Sequence, residues 1–126
     1  MTPFASQITF LDLSDYAAGK DFLTRVLGLE PVYDIGWAAV YGTAGKAFLG
    51  IVDRKCREIP QKEGLLISLT TDSIEQWHRR ISGFLPVSPI AEVPGAGLRS
   101  FFFTGPEGWR FEIQQFTEGL PMALFC

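Results

Sequence analysis

The feature that most constrains this chain is an internal repeat. Leu27-Gly28-Leu29-Glu30-Pro31-Val32 matches Ser82-Gly83-Phe84-Leu85-Pro86-Val87 at an offset of 55 residues. Tyr41-Gly42-Thr43-Ala44-Gly45 matches Thr104-Gly105-Pro106-Glu107-Gly108 at an offset of 63. The first pair reads as a helix end, a glycine stop and the start of an extended strand. The second reads as a Gly-x-x-Gly hairpin turn before the last strand of its half. Recurrence of this kind marks a duplicated unit.

The hydrophobic pattern fills in each unit. Gln7 to Leu13 is β-prone, Ser14 and Asp15 are cap residues, and Ala18, Phe22, Leu23, Val26 and Leu27 recur at helical spacing. Strands are expected at Pro31 to Ile35, Trp37 to Tyr41 and Ala47 to Val52, with a hairpin turn over Gly42 to Gly45. The order then returns: a strand at Leu65 to Thr71, a cap at Asp72 and Ser73, and a helix with Ile74, Trp77 and Ile81 on one face, ended by Gly83. Phe84 to Ile90 reads as extended, with Pro86 and Pro89 confining it to an edge. Pro94 to Gly97 is a turn, Leu98 to Phe103 a strand, Gly105 to Gly108 a hairpin turn and Trp109 to Phe116 the last strand.

The expected fold is therefore α+β: two tandem βαβββ modules, their curved sheets paired around a concave cleft. Module one covers about 5–53, a polar linker about 54–64, module two about 65–118 and an apolar tail 119–126. The helices fall at about 15–27 and 73–82. One helix covers one face of each sheet, and pairing the uncovered faces buries them and leaves a cleft.

Charge and composition exclude several function classes. The formal net charge of −3 argues against a nucleic-acid partner. No stretch of about 18 apolar residues is present, so no membrane span is expected. With no secretion signal, Cys56 and Cys126 read as free thiols in a reducing, cytoplasmic compartment. Arg54, Lys55 and Arg57 have acidic neighbours and read as a solvated loop. Eleven Phe, three Trp and three Tyr exceed what a small core requires and point to an aromatic-lined cavity.

Asp15 followed by Phe22-Leu23-Thr24-Arg25-Val26-Leu27-Gly28-Leu29 resembles the opening of the vicinal oxygen chelate superfamily, whose first helix reads D…FYxxVLGL. Phe101 to Ile113 (FFFTGPEGWRFEI) is similar to its closing hairpin, FxDPdGnxiEl. The resemblance, to glyoxalases, bleomycin-resistance proteins and extradiol dioxygenases, spans about residues 7–116. It implies two βαβββ modules, often paired or swapped in a homodimer. It also implies, in the metal-using members, His, Glu or Gln ligands on the first and last strands of each module. Those positions fall here on Ile8 (or Gln7 after a one-residue slip), Gly50 or Leu49, Leu66 or Leu65, and Glu112. One hard ligand does not hold a divalent ion. No metal and no other cofactor is therefore expected. The lone histidine, His78, lies on the second helix and reads as a half-exposed surface residue.

Strand alternation nominates the residues of the concave face. They are Phe10 and Asp12 with Ile8, Ser68 and Thr70 with Leu66, Trp37 and Tyr41, Phe102 or its neighbours Phe101 and Phe103, and Arg110, Glu112 and Gln114. Glu112 is read as an ion pair with Arg110 or Arg99, as an acceptor for a ligand, or as a general base. With two acids on this face, an uncharged or cationic ligand is expected. The leading expectation is a metal-free homodimer that binds a small aromatic or peptide-like molecule in a cleft, as in drug sequestration, with no catalytic residues. The alternatives are a metal-dependent lyase or dioxygenase of the glyoxalase I or extradiol type, and a structural module with a filled cleft.

Overall fold

A computed structural model describes residues 3, 6–56, 65–93 and 96–119. The linker from 57 to 64, the tail beyond Gly119 with Cys126, the side chain of Cys56, and Pro94 and Gly95 of the expected turn lie outside the described residues. The chain divides into two compact units, Met1–Lys62 and Glu63–Cys126.

The first unit runs β1 (Gln7–Leu13), α1 (Tyr16–Asp21), β2 (Pro31–Asp34), β3 (Ala38–Ala44) and β4 (Ala47–Asp53). The second runs β5 (Ile67–Thr70), α2 (Ile74–Ser82), β6 (Ala91–Val93), β7 (Leu98–Thr104) and β8 (Arg110–Phe116). Each forms a four-stranded sheet, ordered β1-β4-β3-β2 and β5-β8-β7-β6. In both, the first strand pairs parallel with the last and the other pairs are antiparallel. A parallel pair requires a crossover, and the βαβββ order supplies it.

Asp15 caps α1, its Oδ1 accepting the Ala18 N–H at 3.0 Å. After Asp21 the helix widens into a π-type turn over Phe22–Val26, and the Leu27 N–H donates to the Phe22 carbonyl at 3.1 Å. Phe22, Leu23, Val26 and Leu27 are all buried. Gly28 then turns the chain with φ +69°, where any side chain would be strained. The cap of α2 differs from expectation. Ser73 occupies the cap position but its hydroxyl bonds Asp72, and the Ile74 N–H is satisfied by Gln115 Oε1 of β8 at 3.3 Å. A residue 41 positions downstream thus does the work expected of a local cap.

Several strand boundaries also move, β5 starting at Ile67 rather than Leu65. Phe84 to Ile90 forms no strand; the edge strand comes later, at Ala91–Val93. β3 continues through Gly42 to Ala44, so the first hairpin turn is Gly45-Lys46. The paired strands relate the units at an offset of 62, since Val40 faces Gly50 and Phe102 faces Glu112. The Gly-x-x-Gly strings, at 63, align glycines that are not equivalent. Gly45 corresponds instead to Glu107, and both have left-handed backbones, with φ +47° and +59°.

Gly19 shows which face of the first sheet is covered. A Cβ there would overlap Leu13 Cδ1 and meet Ile51 Cδ1 at 3.6 Å, so α1 lies against the face carrying Leu11, Leu13, Leu49 and Ile51. In the second unit His78 of α2 meets the Phe101 ring edge-on at 4.8 Å, and Phe101, Phe103, Phe111 and Ile113 are buried. Phe103 and Phe111 stack at 5.3 Å. Gly19→Ala is expected to gain about 1 kcal/mol of helix propensity and to lose about 1–3 kcal/mol by overpacking against buried Leu13. The net change is a loss of about 0–2 kcal/mol in denaturant unfolding; an increase in stability would contradict this placement of α1.

Candidate functional site

The face of the second sheet turned away from α2 carries the polar residues. Ser68, Glu112 and Phe102 form one row across β5, β8 and β7, and Thr70, Gln114 and Ser100 form the next. The Ser68 hydroxyl donates to Glu112 Oε1 at 2.6 Å. Gln114 Nε2 donates to Thr70 Oγ1 at 3.2 Å. Glu112 is 9% exposed, whereas Phe102 is 39% exposed and Ser68, Thr70 and Arg110 are open. A buried carboxylate is costly unless hydrogen-bonded, and Ser68 meets part of that need.

The expected ion pair of Glu112 with Arg99 is corrected. Arg99 Nη2 binds Glu75 Oε1 of α2 at 2.6 Å, which lowers the Glu75 carboxyl below its ordinary value through that hydrogen bond. Among the described residues Arg110 has no carboxylate within ion-pair distance.

In the first unit the corresponding face carries Ile8, Phe10 and Asp12, with Gly50 beside Phe10. The β1–β4 register runs without a slip from Gln7 to Leu13, so Ile8 and not Gln7 shares the Phe10 face. The same register selects Gly50 over Leu49. A Cβ on Gly50 would overlap the Phe10 ring, which covers the place a ligand side chain would take. Ile8, Gly50 and Leu66 supply no donor and Glu112 supplies one. Among the described residues no three His, Cys, Asp or Glu side chains come together. These residues do not form the donor set of a divalent ion.

Three of the expected ligand-facing residues need restatement. Tyr41 is corrected. It is 0% exposed and pairs with Leu49 on the face beneath α1, where burial pushes its hydroxyl above the ordinary phenol value. Asp12 has the Phe10 parity but is 1% exposed, so it is not an open acceptor. Trp37 precedes β3 and is 49% exposed, so its ring is open although it does not share a site with Tyr41. Phe102, rather than Phe101 or Phe103, is the open ring of β7.

The sequence pattern missed a groove at the edge of β7. It is open to solvent, has a volume of about 480 Å³ and is lined by Pro86, Val87, Ser88, Phe102, Phe103, Thr104 and Arg110. Ser88 builds its wall: its N–H donates to the Phe102 carbonyl at 3.0 Å and its hydroxyl accepts the Phe102 N–H at 2.8 Å. His78 Nε2 lies 3.0 Å from the Ser88 carbonyl. The lone histidine thus holds this segment against α2 instead of facing solvent alone. Pro86 and Pro89 were the available signal, since they keep the segment extended without letting it become a full ladder strand.

A family model described as the Glyoxalase/Bleomycin resistance protein/Dioxygenase superfamily matches residues 9–113. A search of the curated proteins found no match. Among solved structures the fold is similar to TnmS3, an antibiotic binding protein from Streptomyces sp. CB03234, with a TM-score of 0.77 at 20% identity, covering 93% of this chain and 99% of that one. It is similar to lactoylglutathione lyase from Agrobacterium tumefaciens, with a TM-score of 0.72 at 21% identity over 91% and 96% of the two chains. It is also similar to the fosfomycin resistance protein FosX from Mesorhizobium loti, with a TM-score of 0.69 at 19% identity over 98% and 99%.

The placement of Tyr41 has a direct test. Its hydroxyl is buried with no hydrogen-bond partner among the described residues, and an unsatisfied buried hydroxyl costs about 1–3 kcal/mol. Tyr41→Phe should therefore leave stability unchanged or raise it by about 1 kcal/mol in denaturant unfolding. A loss above about 1 kcal/mol would show that the hydroxyl is bonded.

Proposed function

The chain belongs to the glyoxalase/bleomycin resistance protein/dioxygenase superfamily, and on that premise we propose that it binds a small aromatic or peptide-like molecule without a catalytic metal, in a sequestering role. The observation that carries this reading is the make-up of the two open sheet faces. They present aromatic rings at Phe10 and Phe102, hydroxyls at Ser68 and Thr70, and a single donor, Glu112, where the metal-using members need several. Rings and a few placed polar groups suit a planar organic ligand. The antibiotic-binding neighbour supports the same reading.

Exposed Ile8, Phe10, Leu66 and Phe102 leave apolar surface that calls for cover. The working form in this proposal is a homodimer, tested by sedimentation in the micromolar range. A monomer across that range would remove it.

Glu112 favours a second reading, a metal-dependent lyase or dioxygenase, since it stands at the one matching ligand position. Elemental analysis of the purified protein separates the two. Metal content far below one ion per chain is expected; about one zinc, nickel or iron per chain would overturn the first reading.

Binding is tested by tryptophan fluorescence, because Trp37 is open to solvent. Planar intercalators and bleomycin-like glycopeptides are the first compounds to titrate. Phe102→Ala should weaken binding about two- to tenfold, the worth of one ring contact at about 0.5–1.5 kcal/mol. Glu112→Gln keeps an acceptor for Ser68 and should leave the thermal midpoint nearly unchanged. Parent-like affinity in Phe102→Ala would remove that ring from the site.

A further inference from the structure

The expectation of an uncharged or cationic ligand rested on two open carboxylates, at Asp12 and Glu112. Both are buried. The exposed charge that the second sheet offers on this face is the Arg110 guanidinium, and none of the seven residues lining the β7 groove is acidic. Arg110 stands directly across the ladder from Thr104.

The backbone adds a second donor. In an antiparallel ladder the N–H and C=O of a residue point to the same side, and the side alternates along the strand. Both groups of Phe102 bond outward, to Ser88. Those of Thr104, two residues on, therefore also point outward, toward the groove. Beyond Ser88 the partner segment is Val87 and Pro86, and Pro86 has no N–H to offer. The groove thus combines a guanidinium, a strand-edge N–H, the open ring of Phe102 and the apolar surfaces of Pro86 and Val87.

We propose that this groove is the anchoring end of the ligand site and takes a planar aromatic carboxylate. The ring lies on Phe102 between Pro86 and Val87, and the carboxylate is held by Arg110 with the Thr104 N–H. The inference rests on the small-molecule-binding reading above and narrows its ligand to anions. Arg is suited to the task because its planar fork pairs two N–H groups with the two carboxylate oxygens. Its positive charge also meets no carboxylate at ion-pair distance among the described residues, so binding an anion breaks no existing pair.

The probes are 2-naphthoate and its neutral isostere 2-naphthamide, titrated by calorimetry at low and high salt. Naphthoate is expected to bind at least tenfold tighter than naphthamide, with the preference shrinking at high salt. Arg110→Gln should abolish the preference by weakening naphthoate alone. Val87→Glu, which places an acid in the groove without touching Arg110, should weaken naphthoate more than naphthamide. Equal binding of both probes, unchanged in Arg110→Gln, would overturn the anion assignment and leave the binding reading in place. Binding of neither probe would remove both from this groove. A thermal melt of each variant checks folding, and an unfolded Arg110→Gln protein would show Arg110 to be structural and count against the proposal.

Discussion

The parallel pairing of the first and last strands within each unit is the constraint on which the rest depends. It forces the chain to cross the sheet between those strands, and the helix is that crossover. It also sets parity. Once Leu13 and Ile51 are beneath Gly19, Leu11 and Leu49 join them in the core, and Ile8, Phe10 and Gly50 are turned the other way. The same pairing in the second unit sets Phe111 and Ile113 under α2 and leaves Arg110, Glu112 and Gln114 on the opposite face. The open faces are therefore a by-product of how each helix covers its sheet.

On those faces the two units have diverged in chemistry while keeping register. The position occupied by Glu112 in one is Gly50 in the other, and the place opposite, Ser68 in one, is Phe10 in the other. The second unit has a hydrogen-bonded hydroxyl–carboxylate pair where the first has a bare backbone covered by a ring. One face offers polar contacts and the other an aromatic surface, and neither assembles three hard ligands among the described residues.

Much of this was legible in the residues. The repeat, the two helices, the Asp15 cap and the Gly28 stop follow from local signals, because caps and left-handed glycines act over one turn of chain. The register turns Phe10, Ser68, Thr70 and Arg110 away from the helices, as alternation expects, and selects Phe102 among the three rings of β7 that alternation leaves open. Alternation failed at Tyr41 because β3 has no alternation to read: Ala38, Ala39, Val40 and Tyr41 are all buried. The matching glycine strings do not align the turns for a related reason: the left-handed position in the second hairpin is filled by Glu107 rather than by a glycine.

The amino-acid sequence by itself determined the duplicated βαβββ order, the helix ends and the scarcity of hard ligands at the expected positions, all of which depend on residue type and short spacing. Only the tertiary structure decided which face each strand residue takes when both faces are apolar. It alone closed off Asp12, gave Glu112 to Ser68 and Arg99 to Glu75, and drew His78, Ser88 and Phe102 together into a groove wall. Those outcomes join residues separated by up to 44 positions. Their partners are chosen by sheet register and helix packing, which no local pattern carries.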